Sequence, residues 1–207
     1  MSDRWLGLAG MMLLVGSFGA LALAPALLPD DYDWIEHTTS EAGAQGVDGA
    51  WLARFGFVLF GLAVLVIAAR SAPRWGTRAT VFHRVFAVGM ITVAAFSARA
   101  WPDGASYDPT EDTLHSVAAT VIGVAFAIGV LAVAVGGREK GQSVRVLDVV
   151  AIVASVVVPL SMSQFDGVAG VAQRLMFLVA YLWYGREVLP AAVSDLSTVA
   201  AGARGTR

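Results

Sequence analysis

Six apolar stretches, joined by connections whose charge alternates between acidic and basic, constrain this chain more than any other feature. They run over Trp5–Leu28, Trp51–Ala69, Ala79–Ala98, Thr113–Val135, Val146–Met162 and Val168–Leu189. Each is close to the roughly 20 residues needed to cross a bilayer core. Backbone groups in hydrocarbon must be paired within their own segment, so these stretches are predicted to be helices. Of the 207 residues, 57% are hydrophobic and 14% charged, and the mean hydropathy is +0.69, which leaves little chain for a soluble domain. The expectation is an all-α, polytopic membrane bundle of six transmembrane helices over residues 1–190, followed by a cytoplasmic tail over 191–207.

Orientation follows from the bias of Lys and Arg toward cytoplasmic loops. Arg70, Arg74 and Arg78 follow the second stretch, Arg138, Lys140 and Arg145 the fourth, and Arg186, Arg204 and Arg207 the last. The connection after the first stretch carries Asp30, Asp31, Asp33, Glu36, Glu41 and Asp48 with no Lys or Arg. The connection after the third carries Asp103, Asp108, Glu111 and Asp112. Both termini are therefore expected in the cytoplasm and the acidic loops outside, in the plasma membrane. The N-terminal run is too long for a signal peptide and reads as a retained helix. Pro29-Asp-Asp, Trp101-Pro102 and Asp166-Gly167 punctuate the stretches, and Asp112 is the expected N-cap of the fourth helix. Trp51, Trp75, Trp101 and Trp183 are read as headgroup anchors, and the many glycines and alanines as helix-packing residues.

Several chemistries are excluded or unsupported. Without cysteine there is no disulfide, thiolate metal site or thiol nucleophile. His83 and His115 fall at opposite ends of their stretches, which argues against bis-histidine haem. His37, His115 and nearby carboxylates are metal-ligand types without diagnostic spacing. No phosphate-cradling glycine loop is present, no cofactor is expected, and nothing points to nucleic acid. Thirteen of the fourteen basic residues are Arg, which with the abundant Ala, Val and Gly suggests a GC-rich microbial genome.

The informative residues break the charge rule. Arg54, Arg99, Arg174 and His115 sit where the connections are acidic, and Gln173 precedes Arg174. Ionisable groups within a span are costly and usually face a cavity, the bundle interior or a partner. Two arrangements are open. Arg54, Arg99 and Arg174 could converge on an outward cationic pocket walled by His115 and by Asp103 or Asp112. Clustered guanidinium groups suit phosphate or carboxylate. Alternatively the arginines are closed by the protein's own first loop, with Glu36 and Glu41 as salt-bridge partners, or reach the headgroups by snorkelling. Asp112 and His115, three residues apart on one helical face, could form a local pair. On the basic side, Asp148 is expected to pair with Arg145, and His83-Arg84 to lie at headgroup level.

The run Glu36-His-Thr-Thr-Ser40, followed by Gly49-Ala-Trp-Leu-Ala-Arg54 and an aromatic-rich helix, resembles the first outer loop and second helix of domain-of-unknown-function family 998. Trp101-Pro-Asp103, Leu114-His115 and Gln173-Arg174 resemble three further elements of that family, in the same order. Thr38-Thr39 and Trp101 depart from its pattern, which has Pro-Ile and Phe there. The resemblance implies a six-helix membrane architecture and draws attention to His37 along with the outer residues. It implies no reaction.

The leading expectation is an outward-facing site that binds an anionic lipid headgroup or a small acid without catalysis, built from Arg54, Arg99, His115, Arg174, Gln173, Asp103, Asp112 and His37. Membrane lipids are the expected partners. A structural or accessory subunit of a larger membrane assembly is the alternative. An intramembrane lipid hydrolase using His115 with Asp103 or Asp112 is a second alternative. A transporter is disfavoured, because the basic half of the chain shows almost no polar path.

Overall fold

The computed structural model describes residues 3–102 and 104–202, with side chains described as far as 189 apart from that of 166. Those residues form six α-helices and no strand: α1 (Asp3–Leu23, extended by a 3-10 turn to Leu27), α2 (Trp51–Trp75), α3 (Thr77–Ala95), α4 (Pro109–Glu139), α5 (Val146–Met162) and α6 (Ala169–Gly202). By length and composition α1 to α4 can each cross a membrane, and α5 is a shorter apolar helix of 17 residues. Asp103 lies outside the described residues.

Consecutive helices run antiparallel. Ser17 meets Gly56 while Gly10 lies against Ile67, and Phe86 stacks near Phe126 while Gly89 faces Ile122. One end of the bundle therefore collects the acidic connections and the other the basic ones. Small residues set the spacing: a Cβ on Gly61 would lie 2.6 Å from the Ala87 carbonyl oxygen, so α2 and α3 touch backbone to backbone.

The core is an aromatic column along α2, α3, α4 and α6. Phe60 lies flat on Tyr181 at 4.3 Å between ring centroids and meets Phe86 edge-on, and Tyr184 packs against both Phe86 and Phe126. Offset and edge-to-face pairs of this kind contribute about 0.5–1.5 kcal/mol each beyond burial. Within the α1–α2–α6 contact a deep hydroxyl is paired: Ser17 Oγ donates to the Gly56 carbonyl at 2.7 Å and meets the Tyr181 hydroxyl at 2.6 Å. Around α5 the packing is thin, with Asp148 and Ala151 its buried residues and Val149, Val153, Val156 and Leu160 exposed.

The basic end departs from expectation. Asp148 does pair with Arg145, which caps α5, but both belong to a larger buried cluster. Glu187 of α6, 2% exposed, accepts from Arg145, from Arg74 at 2.7 Å and from the Trp75 indole at 2.9 Å. Trp183 donates to Asp148 at 2.9 Å. Hydrogen bonding to Asp148 pushes the Arg145 guanidinium above its ordinary pKa. Trp75 and Trp183 are thus core residues holding carboxylates, and not headgroup anchors, whereas Trp51 is 63% exposed as an anchor would be. His83 is also inside. It is fully buried between Trp75, Trp183 and Gly129, with Nδ1 2.8 Å from the Tyr184 hydroxyl. The basic half is therefore more polar inside than its sequence indicated.

Two helix ends also differ. The third helix stops at Ala95, before the expected Ala98. The first turns of α4 take up the released backbone: Glu111 accepts from Ser97 N at 2.6 Å, Asp112 accepts from Arg99 N at 2.9 Å, and His115 Nδ1 donates to the Phe96 carbonyl at 2.9 Å. The N-cap of α4 is Asp108, whose carboxylate accepts from Thr110 N and Glu111 N ahead of Pro109. Asp112 is not the cap, and the expected pairing of Asp112 with His115 is replaced by these bonds to the α3 terminus.

Candidate site at the acidic end

The first loop, residues 28–50, folds over the acidic end of the bundle, and most of the outlying residues touch it. Arg174 points up from the second turn of α6. Its Nη1 donates to the carbonyls of Trp34 (2.7 Å) and His37 (3.0 Å), and its Nη2 donates to the Tyr32 hydroxyl (2.6 Å). Its guanidinium also lies over the Tyr32 and Trp34 rings. Tyr32 in turn donates to the Thr38 carbonyl at 2.9 Å. Burial pushes the Tyr32 phenol above its ordinary pKa, and the Arg174 charge opposes that rise. Beside Arg174, Gly170 N and Val171 N donate to the carbonyls of Glu36 and Ile35, so the start of α6 is capped by loop backbone.

Arg54 does the same from α2. Its Nε donates to the Gly43 carbonyl at 2.8 Å and its Nη2 to the Ala44 carbonyl at 2.6 Å. Gln173 Oε1 accepts from Ser40 N at 3.1 Å. His37 Nδ1 accepts from Asp33 N at 2.9 Å, and its ring stacks on Trp101 at 5.2 Å. Arg54 and Arg174 therefore hold backbone carbonyls of the loop. Neither forms an ion pair with Glu36 or Glu41 among the described residues. Glu41 instead closes the loop on itself, accepting from Thr38 N at 2.7 Å and Thr38 Oγ1 at 2.8 Å.

Sequence reasoning passed over Gln45. Its backbone N donates to the Ala98 carbonyl, its Nε2 donates to the Ser97 carbonyl at 2.8 Å, and its Oε1 accepts from Asp108 N at 2.7 Å. It fastens the first acidic loop to the second. A lone glutamine in a polar loop carries no signal that could reveal this. Gly49 completes the seat: its φ is +81°, and a Cβ there would fall on the Leu27 carbonyl.

Arg99, Asp112 and His115 are brought together. With Thr38, Ser40, Glu41 and Ser116 they line a polar pocket of about 450 Å3. The Arg99 guanidinium is exposed and has no hydrogen-bond or ion-pair partner among the described residues. His115 is 5% exposed. Because the Phe96 carbonyl can only accept, Nδ1 carries the proton, which leaves the Nε2 lone pair free in the neutral ring. That Nε2 has no partner among the described residues, and Thr39 Oγ1, Ser97 Oγ and Trp101 Nε1 at the same end are also buried without one. Buried polar atoms are usually paired; of these four residues His115 lines the polar pocket, while Thr39 lines a separate groove between α1 and α6. Chemically the pocket offers one cation and several acceptors, so it suits an anion that also carries hydroxyl donors. Among the described residues no group of three or more His, Cys, Asp or Glu is placed to hold a metal ion.

A family model described as "Protein of unknown function (DUF998)" matches residues 6–185. Nothing among curated proteins or solved structures matches the chain.

Proposed function

The chain belongs to the DUF998 family, and on the geometry of its acidic end we propose that it binds an anionic lipid headgroup or a small acid, without turnover, in an outward-facing pocket. In this reading six helices span the plasma membrane with both termini cytoplasmic. The 17 residues of α5 are at the short limit for a span, about 17–25 residues. The observation that carries the reading is the Arg99 guanidinium and the His115 Nε2 in one pocket, both without a partner among the described residues, while Arg54 and Arg174 are committed to the first loop. Arg99 would take the anionic group, while His115 Nε2 and Asp112 would accept from ligand hydroxyls.

Two probes separate the sources of such an anion: phosphatidylglycerol in mixed micelles and soluble glycerol phosphate. Wild type is expected to retain one of them in native mass spectrometry, and Arg99→Gln and His115→Gln to lose it. Equal retention by wild type and both variants overturns the reading. Orientation has its own test, made simple by the absence of cysteine. A membrane-impermeant maleimide on intact cells should label Glu36→Cys and spare Arg138→Cys, and labelling of Arg138→Cys alone would reverse the topology.

A second reading, an accessory subunit of a larger membrane assembly, draws on α5, whose valine-rich face is exposed along its length. Under that reading mild native purification brings down a partner that a Val153→Trp, Val157→Trp variant loses. Recovery of the isolated chain alone, at every detergent level, counts against it.

A further inference from the structure

Between α1 and α6, in the acidic half of the bundle, runs a groove of about 550 Å3. Its walls are Phe18 and Leu21 on one side and Phe177, Leu178 and Tyr181 on the other, and its rim carries Trp34, Thr39 and Arg174. Thr39 is 4% exposed, and its Oγ1 has no partner among the described residues. The Tyr181 hydroxyl is already bonded to Ser17, and the Arg174 guanidinium to the loop. Thr39 thus brings to the polar rim of an apolar groove a buried hydroxyl that has no partner among the described residues. A second groove of about 520 Å3, between α3 and α4, is lined by Val81, Val85, Val88, Val117 and Val121 and includes none of the buried unpartnered atoms. It provides a comparison within the same molecule.

We propose that the α1–α6 groove seats one acyl chain of an outer-leaflet glycerolipid, with the ester carbonyl of that chain accepting from Thr39 Oγ1. The proposal rests on the reading that α1 and α6 span the bilayer with the acidic end outward. A hydroxyl buried in apolar surroundings is costly unless paired, and an ester carbonyl at headgroup depth is the acceptor that a lipid supplies there. Trp34, 53% exposed at the rim, suits the same depth. Neighbouring residues of one short segment serve both cavities: Thr39 lines the groove, while Thr38, Ser40 and Glu41 line the polar pocket. That adjacency favours a lipid over a soluble acid as the pocket's ligand.

The test uses the full-length protein in phosphatidylcholine vesicles containing phosphatidylglycerol with a photoactivatable diazirine midway along one chain. Adducts are expected on α1 and α6 facing the groove, several-fold above those on the α3–α4 groove. Ala22→Trp, which fills the groove from α1, should cut this labelling several-fold, and Thr39→Val should lower it. If Ala22→Trp fails to fold, Leu178→Trp fills the same space from α6. Equal labelling of the two grooves, or unchanged labelling in a folded groove-filling variant, overturns the proposal by showing ordinary surrounding lipid. Unchanged labelling in Thr39→Val overturns the role of the hydroxyl. A phosphatidylcholine carrying the same diazirine separates this proposal from the headgroup reading: equal labelling of the α1–α6 groove by both lipids, still several-fold above the α3–α4 groove, keeps the acyl-chain seat and overturns the anionic headgroup reading.

Discussion

Arg174 Nη1 and the Trp34 carbonyl oxygen lie 2.7 Å apart although 140 residues separate them in the chain. This bond, with those to His37 and Tyr32, ties the last helix to the loop that follows the first. The guanidinium is a lock on the acidic end, since Nη1 faces two backbone oxygens that no side-chain substitution in the loop would remove, and Nη2 adds the Tyr32 hydroxyl.

Arg174→Ala is expected to lower stability by about 2–4 kcal/mol, because charged hydrogen bonds of this kind are worth about 1.5–3 kcal/mol each and water replaces part of the loss. The first loop should become more sensitive to limited proteolysis. Gly170→Ala tests the same seam by crowding, since its Cβ would lie 2.6 Å from the Trp34 carbonyl oxygen. If neither variant changes loop protection, the lock is not real.

At the basic end, Arg145 and Arg74 share Glu187 but differ in exposure, at 26% and 48% of the side chain. Breaking the more buried partnership should cost more. Arg145→Gln is predicted to lower stability by roughly 3 kcal/mol, near the lower end for breaking a buried pair, and Arg74→Gln by about 0–1 kcal/mol. Thermal unfolding in detergent ranks them, and the reverse order would refute the account.

Arg99 and Arg54 make a contrasting pair. Arg54→Gln removes two charged donors from the Gly43 and Ala44 carbonyls and should destabilise by about 1–3 kcal/mol. Arg99→Gln should leave the melting temperature within about 1 °C, an effect near zero for an exposed group without partners among the described residues, while weakening retention of the anionic probe. A large drop in melting temperature for Arg99→Gln would mean that its side chain is structural.

Glycines along the helices separate by what surrounds them. Gly61→Ala would press on the Ala87 carbonyl and should cost about 1–3 kcal/mol through overpacking. Gly123 has nothing within 4 Å of a new Cβ, so Gly123→Ala should be neutral or stabilise by up to about 1 kcal/mol. Equal effects of the two substitutions would show that helix contact does not set the α2–α3 spacing.

The sequence by itself determined that the chain is helical, where its apolar helices lie, that it belongs with DUF998, and which residues are out of place. These properties are local: they depend on the length of apolar runs, on the cost of unpaired backbone in hydrocarbon and on the sign of short loops. The expected bounds of α5 match the observed Val146–Met162, whereas α3 ends early because acceptors from α4, a different segment, draw its last residues out of the helix. Only the tertiary structure decided what each outlying residue does. Arg54, Arg99 and Arg174 look alike along the chain, yet two are closed on loop carbonyls and one is left facing a pocket beside His115. Carbonyl oxygens are present in every residue and so leave no mark in a sequence. The same holds for Glu187, Trp75 and Trp183, whose burial depends on which helix faces arrive together at the basic end.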